Sequence, residues 1–380
     1  GGAILMESRN LVRWLGVIVG FISLITATNP VQSSPYKSNT NALDGIFLSL
    51  DSSNAMFGVQ EWKNEFQAMK DVGMTFFAVR SVFNGVRNVT GCPFGSYDVF
   101  YNTTLQPTHC YNQRGIDNDR GSLGYLLQAA NEVGLKIHLG MSMPSSDFRG
   151  GAHFTNKSEY FDMFNRLQIS IALEIWEKFE DSTSSIVGIY TGLEENNLPG
   201  WVNNKDDLVK FYFEPFSSAI KEKLRSDVTV WSSPYAVLNT ELHGFQHFVS
   251  AEEYASFWGD VFTNAPGFDF IANQDSMGWQ GNSLQNVSDL MKAISAASTA
   301  AGRQTWSNVE LFEGWPQPCI YPKKCGRAPA PFERIKSQIE TESRYASILI
   351  AWEWHSCLSP YSNNLTAALY RQYSDYVRNL

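Results

Sequence analysis

From Gly45 onward, short apolar runs alternate with longer stretches in which apolar residues recur at spacings of three and four. Near-continuous apolar runs mark strands covered on both faces, as in a parallel sheet, whereas the longer spacing marks amphipathic helices. The runs predict strands at Gly45–Asp51, Met74–Phe83, Leu135–Met143, Ile186–Leu193, Val228–Tyr235, Phe268–Asp275, Gln304–Leu311 and Ala346–Trp354. Helices are predicted at Glu61–Val72, Ser122–Val133, Tyr160–Phe179, Asp206–Leu224, Ala251–Phe262, Leu284–Ala301, Phe332–Tyr345 and Thr366–Arg378. Trp62, Phe66 and Met69 fall on one face of the first helix, and Gly73 and Gly134 stop the first two. Eight strands, each followed by a helix, is the count that closes a single (β/α)8 TIM barrel. An open doubly wound sheet has fewer strands as a rule, and no Gly-rich phosphate loop follows the first strand here.

Two connections exceed ordinary βα loops, Asn84 to Gly121 and Glu313 to Pro331. Both follow strands and therefore belong to the C-terminal face, where barrel sites form. Ahead of the barrel, Arg9 and Arg13 precede an apolar run from Trp14 to Ala27 with small and polar residues after it. That is the layout of a secretory signal peptide, and at about 14 residues the run is short for a membrane span. The organisation expected is residues 1–34 as N-terminal extension and signal peptide, 35–43 as a polar linker, and 44–380 as one α/β barrel domain. A secreted, extracellular glycoprotein with no stable membrane insertion after signal cleavage follows. The N-x-[ST] sequons at Asn88, Asn102, Asn156, Asn286 and Asn364 fit it, each as a surface position. Of five cysteines, Cys92 with Cys110 and Cys319 with Cys325 are expected as short-range disulfides, leaving Cys357 over.

A net charge of −9 argues against nucleic acid as a partner. An aromatic content of 14%, with 11 Trp and 16 Tyr, suits either a large core or a cleft whose rings stack on sugars. There is no CxxC or HExxH, and the six His are scattered, so neither metal nor cofactor is expected.

The chemistry rests on acids at strand ends, where burial is costly and packing seldom asks for them. Glu194 and Glu195 end the fourth predicted strand, Asp275 the sixth and Glu310 the seventh, while Glu353 lies in the eighth. Strands four and seven face each other across an eight-stranded mouth. Glycoside hydrolysis needs two opposed carboxyl groups, one to protonate the leaving oxygen and one to attack or to activate water. Glu194 is therefore expected as general acid/base and Glu310 as nucleophile, with a retaining outcome. Glu195 points the other way if the chain stays extended. Substrate contacts are expected from Arg80, Tyr190, Glu195, Tyr235, Gln274, Trp279, Trp306, Asn308, Trp315, Trp352, Glu353 and His355, and the partner is an oligo- or polysaccharide.

Several stretches are similar to a TIM-barrel family catalogued as a domain of unknown function (number 4434), grouped with the glycoside-hydrolase barrels. They are Gly-Ile-Phe-Leu at 45–48, Met-Lys-Asp-Val-Gly at 69–73, Gly-Leu-Lys-Ile-His-Leu-Gly at 134–140, Gly-Ile-Tyr-Thr-Gly-Leu-Glu at 188–194, Ser-Pro-Tyr at 233–235, Gln-Asp-Ser-Met-Gly at 274–278 and Asn-Val-Glu-Leu-Phe-Glu at 308–313. The resemblance implies the barrel and singles out Glu194, Asp275 and Glu310 as catalytic. Where the large retaining clan of barrel glycosidases has Asn before its strand-four Glu, this chain has Leu193. The alternatives to a glycosidase are a non-catalytic carbohydrate-binding protein on the same scaffold, and a metal-dependent hydrolase built on Asp275, Glu310 and a His.

Overall fold

A computed structural model of the chain describes residues 41–87, 89–92, 94–114, 120–144, 157–239, 247–315 and 326–380. The expected signal peptide, the linker up to residue 40, the sequons at Asn88 and Asn156, the Cys319–Cys325 pair and the side chain of Trp315 lie outside the described residues.

Eight parallel strands close a barrel: β1 (Gly45–Leu48), β2 (Phe76–Val79), β3 (Lys136–Gly140), β4 (Ile186–Tyr190), β5 (Thr229–Ser232), β6 (Phe270–Gln274), β7 (Trp306–Glu310) and β8 (Ile348–Trp352). They follow one another in chain order, and β8 returns to β1 through Gly45↔Ile350 and Ile46↔Ala351. The long helices after them are α1 (Val59–Asp71), α2 (Gly121–Val133), α3 (Lys157–Lys178), α4 (Glu214–Lys223), α5 (Ala251–Asn264), α6 (Leu284–Ala300), α7 (Phe332–Glu342) and α8 (Asn364–Arg378). Sequence punctuates them as expected. Gly134 ends α2 in the left-handed region at φ 81°, and Ser250 with Glu253 forms a capping box on α5.

Side chains alternate along each strand, so one set meets inside the barrel and the other under the helices. Phe76, Tyr190, Trp231, Phe270, Trp306 and Ile350 fill the inside with large rings and branched chains. His138 belongs to this layer. Its Nδ1 accepts the Trp231 indole N–H at 2.9 Å, and burial pushes its imidazole down to about 3. It is a neutral, hydrogen-bonded interior residue.

Three elements depart from expectation. The predicted second and third strands stop at Val79 and Gly140, because the two backbones close in above them; a Cβ on Gly140 would sit 2.0 Å from the Arg80 carbonyl oxygen. The chain then forms a second sheet from Phe83–Arg87, Ser96–Val99, Tyr111–Gln113 and Ser142–Met143, so the long excursion carries secondary structure of its own. The Cys92–Cys110 disulfide closes it, the pairing that proximity in sequence suggested. The predicted helix at 206–224 is interrupted by a π-turn at Val209–Phe213 ahead of Pro215. Proline has no N–H for the Phe211 carbonyl, and the Asn165 amide donates to that oxygen at 2.9 Å instead.

Candidate active site

Strand alternation decides which side chains reach the mouth. The inward positions of β7 are Trp306, Asn308 and Glu310, stacked from the barrel interior to its rim. On β6 they are Phe270, Ala272 and Gln274, while Asn273 and Asp275 face the helices. The rim positions surround a pocket of about 260 Å³ lined by Arg80, Tyr190, Glu194, Tyr235, Gln274, Trp279, Asn308, Glu310 and Trp352, all expected from the sequence. Phe47, Ser233, Gln280, Phe312 and Arg327 complete it. Phe47 is the inward residue of β1 and could have been found by alternation. Arg327 comes from a hairpin, Phe312–Trp315 with Gly326–Pro329, that continues β7 above the rim, and nothing in its spacing announced it.

Glu194 and Glu310 both line this pocket. Glu194 stands on the extended chain above β4, and its charge, after burial, helps push the Tyr235 phenol up to about 12. Glu310, the last residue of β7, is only 3% exposed and accepts the Gly278 N–H at 2.6 Å. Burial, then the neighbouring Asp275 charge, push its carboxyl up to about 8. Arg80 lays its guanidinium 5.5 Å from the centre of the Trp352 ring and donates to the Met143 sulfur. Asn308 donates to the Ser233 hydroxyl at 2.9 Å, while its buried Oδ1 meets no donor among the described residues. Gln274 donates to the Ser233 carbonyl at 2.7 Å.

Asp275 stands behind Glu310 rather than in the pocket. It accepts the Glu310 N–H at 3.2 Å and the Met277 N–H at 3.0 Å, and Gln338 of α7 donates to it. Glu342 of α7 completes a buried acid cluster, held by the Ser307 hydroxyl. Burial raises the carboxyl groups of Asp275 and Glu342 as well, that of Glu342 with help from the Asp275 charge. Arg334 is the cation beside Asp275 and Glu310, and it donates to the Glu310 carbonyl at 3.0 Å.

Four expected substrate contacts lie elsewhere. Glu195 turns away from Glu194, is wholly buried and takes the Ser232 hydroxyl; burial pushes it up to about 8. Trp306 has the right face but the wrong depth, stacked 4.0 Å from Phe270 inside the barrel. Glu353 caps the turn beyond β8, accepting the Ser356 N–H at 2.8 Å and the Ser49 N–H at 3.2 Å. His355 packs between Phe57 and Trp62 and lies 3.7 Å from Glu65 of α1. Neither lines the pocket that Trp352 enters, because Glu353 is the residue next after Trp352 and His355 lies in the π-turn Trp354–Leu358. Of the metal-ligating residue types, the described group close enough to share an ion is Cys92, His109 and Cys110, and its two sulfurs form the disulfide.

A closed barrel of eight parallel strands with a pocket at its C-terminal rim defines the (β/α)8 proteins. Within that class, the chain belongs to the family described as Domain of unknown function (DUF4434), whose signature matches residues 43–364. Its fold is similar to that of a candidate α-L-fucosidase from Bacteroides thetaiotaomicron, at 18% identity and TM-score 0.67 over 91% of this chain and 98% of the other. An endo-1,4-β-D-mannanase from Thermotoga petrophila matches at 11% identity and TM-score 0.54, over 89% and 100%. An endo-1,4-β-mannanase from Rhizomucor miehei matches at 12% and 0.54, over 92% and 97%. These likenesses define the scaffold. None of the curated proteins matches the chain in sequence.

Proposed function

We propose that this protein is a secreted glycoside hydrolase that cleaves O-glycosidic bonds of an extracellular glycan with Glu194 and Glu310. The observation that carries the reading is the presence of both carboxyl groups in one pocket lined by aromatic and amide side chains, from strands on opposite sides of the mouth. A hydrolase of this type needs one acid that keeps its proton near neutral pH and one carboxylate that is ionised. Burial and the Asp275 charge favour the proton on Glu310. The roles read from sequence are accordingly exchanged in this proposal. Glu310 donates to the leaving oxygen, and Glu194 attacks the anomeric carbon or takes the proton of the attacking water. The faces of Trp352 and Trp279 offer stacking surface, and the Asn308 Oδ1 offers an acceptor to a sugar hydroxyl.

The test is turnover by the secreted chain on a panel of aryl glycosides and polysaccharides, beside Glu194→Gln and Glu310→Gln. Each substitution is expected to lower kcat by about 10²–10⁴-fold, the usual contribution of a positioned proton-transfer group. Binding of sugars without turnover by the unaltered protein would leave a lectin on this scaffold, and undiminished turnover by both variants would remove the pair.

A further inference from the structure

We infer that the sugar bound in this pocket carries a negative charge, a carboxylate or sulfate group, received by Arg327. The inference rests on the glycosidase reading for the site and adds the class of substrate. Arg327 reaches the pocket from the hairpin strand Gly326–Pro329, with its guanidinium 4.6 Å from the centre of the Phe312 ring and 5.4 Å from that of Trp279. Stacking engages the flat faces of a guanidinium and leaves its N–H edge to point elsewhere. Among the described residues no carboxylate lies within ion-pair distance of it. The sequence from 316 to 325 offers Lys323 and Lys324 and no acid. The hairpin has no need of the charge, since its backbone ladder already runs from Phe312↔Pro329 to Trp315↔Gly326.

The local balance of charge points the same way. Arg80, Arg327, Glu194 and Glu310 are the charged side chain types lining the pocket. Two basic and two acidic side chains therefore line it, so the pocket lacks the excess of acids that gives the protein its net charge of −9. A planar, two-oxygen anion matches the fork of a guanidinium, and a sulfate offers the same pair of oxygens.

The experiment measures binding calorimetrically to the full chain carrying Glu194→Gln, so that turnover does not intrude. The probes are pairs that differ only in charge: oligogalacturonate and its methyl ester, hyaluronan oligosaccharides and their carboxyl-reduced form, carrageenan oligosaccharides and their desulfated form. In at least one pair the charged member is expected to bind about ten- to a hundredfold tighter than its neutral partner. That ratio should fall to within about threefold when Arg327→Ala is added and recover in part with Arg327→Lys. Loss of Arg327 lets Glu310 hold its proton more firmly, which eases repulsion of the charged ligand, so this side effect opposes the expected fall in the ratio and cannot produce it. Which pair responds separates carboxylate from sulfate. Neutral members binding as tightly in every pair, or a preference that survives Arg327→Ala, would overturn the inference while leaving the glycosidase reading in place. If no oligosaccharide binds and the unaltered protein turns over no glycoside, both fall.

Discussion

The buried carboxyl groups of Asp275, Glu310 and Glu342 cluster with the Arg334 guanidinium at the wall of the pocket that Glu310 lines. Three negative charges in such a space would repel one another and lose their hydration, so protons are retained there at neutral pH. Asp275 has the most donors, from Met277, Glu310 and Gln338, which makes it the seat of negative charge and Glu310 the holder of a proton. Replacing Asp275 by Asn removes the charge that disfavours ionised Glu310. The alkaline limb of the pH–kcat profile is expected to move down by about one unit or more, and a profile that stays in place would contradict this arrangement. Burial also ties stability to pH. Glu195 and Glu310, pushed up to about 8, hold protons in the folded state that the unfolded chain releases near its ordinary carboxyl range. Their protonated forms favour folding fully at acid pH, and that contribution is lost as pH rises through about 8. The melting temperature should fall between about pH 5 and 8, and Glu195→Gln should flatten the fall by keeping a neutral, hydrogen-bonding group in place.

Among the elements, the loop after β6 is what brings a backbone donor to Glu310. Gly278 lies against the hairpin so closely that a Cβ would stand 2.3 Å from the Phe312 carbonyl oxygen and 3.0 Å from Glu310 Oε2. Gly278→Ala must push the loop outward and stretch the N–H contact to Glu310. Activity is expected to drop by about ten- to a hundredfold with the circular dichroism spectrum unchanged, since a donor that positions the Glu310 carboxyl group is lost and the core is not touched. The elements were also what the sequence disclosed best. All eight barrel strands were legible because both faces are buried and apolar residues therefore dominate most of them. Glu194 and Glu310 were legible because an acid ending such a run has no packing reason to be there. Depth and direction were harder. Trp306 and Glu310 share a face two steps apart, and only coordinates separate interior from rim. Glu353 follows the inward Trp352 by a single residue, His355 sits in the turn beyond β8, and Arg327 belongs to a hairpin with no apolar pattern to reveal it.

Taken as a whole molecule, the barrel carries its longer excursions on one side. The excursion with the Cys92–Cys110 disulfide, the hairpin after β7 and the first turns of α6 and α8 all follow strand ends and so lie toward the mouth. The described sequons fall in these parts. Asn102 is in the excursion, Asn286 in the first turn of α6, and Asn364 opens α8. Among the described residues no helix is long and apolar enough to cross a membrane. Expressed in eukaryotic cells, the chain is expected in the medium, with a mass that falls on endoglycosidase treatment. An unglycosylated chain kept inside the cell would refute secretion.

The stretch from Trp306 to Trp315 runs without a break from the barrel interior, past Glu310, into the hairpin that carries Phe312 and faces Arg327. In the reading proposed above, chemistry and recognition are thus spelled on one ribbon with a common two-residue beat. Inserting a single residue at Leu311 would exchange inward for outward along everything above it, whereas a two-residue insertion would only lift it. Relatives that have diverged in what they bind should differ here by even numbers of residues.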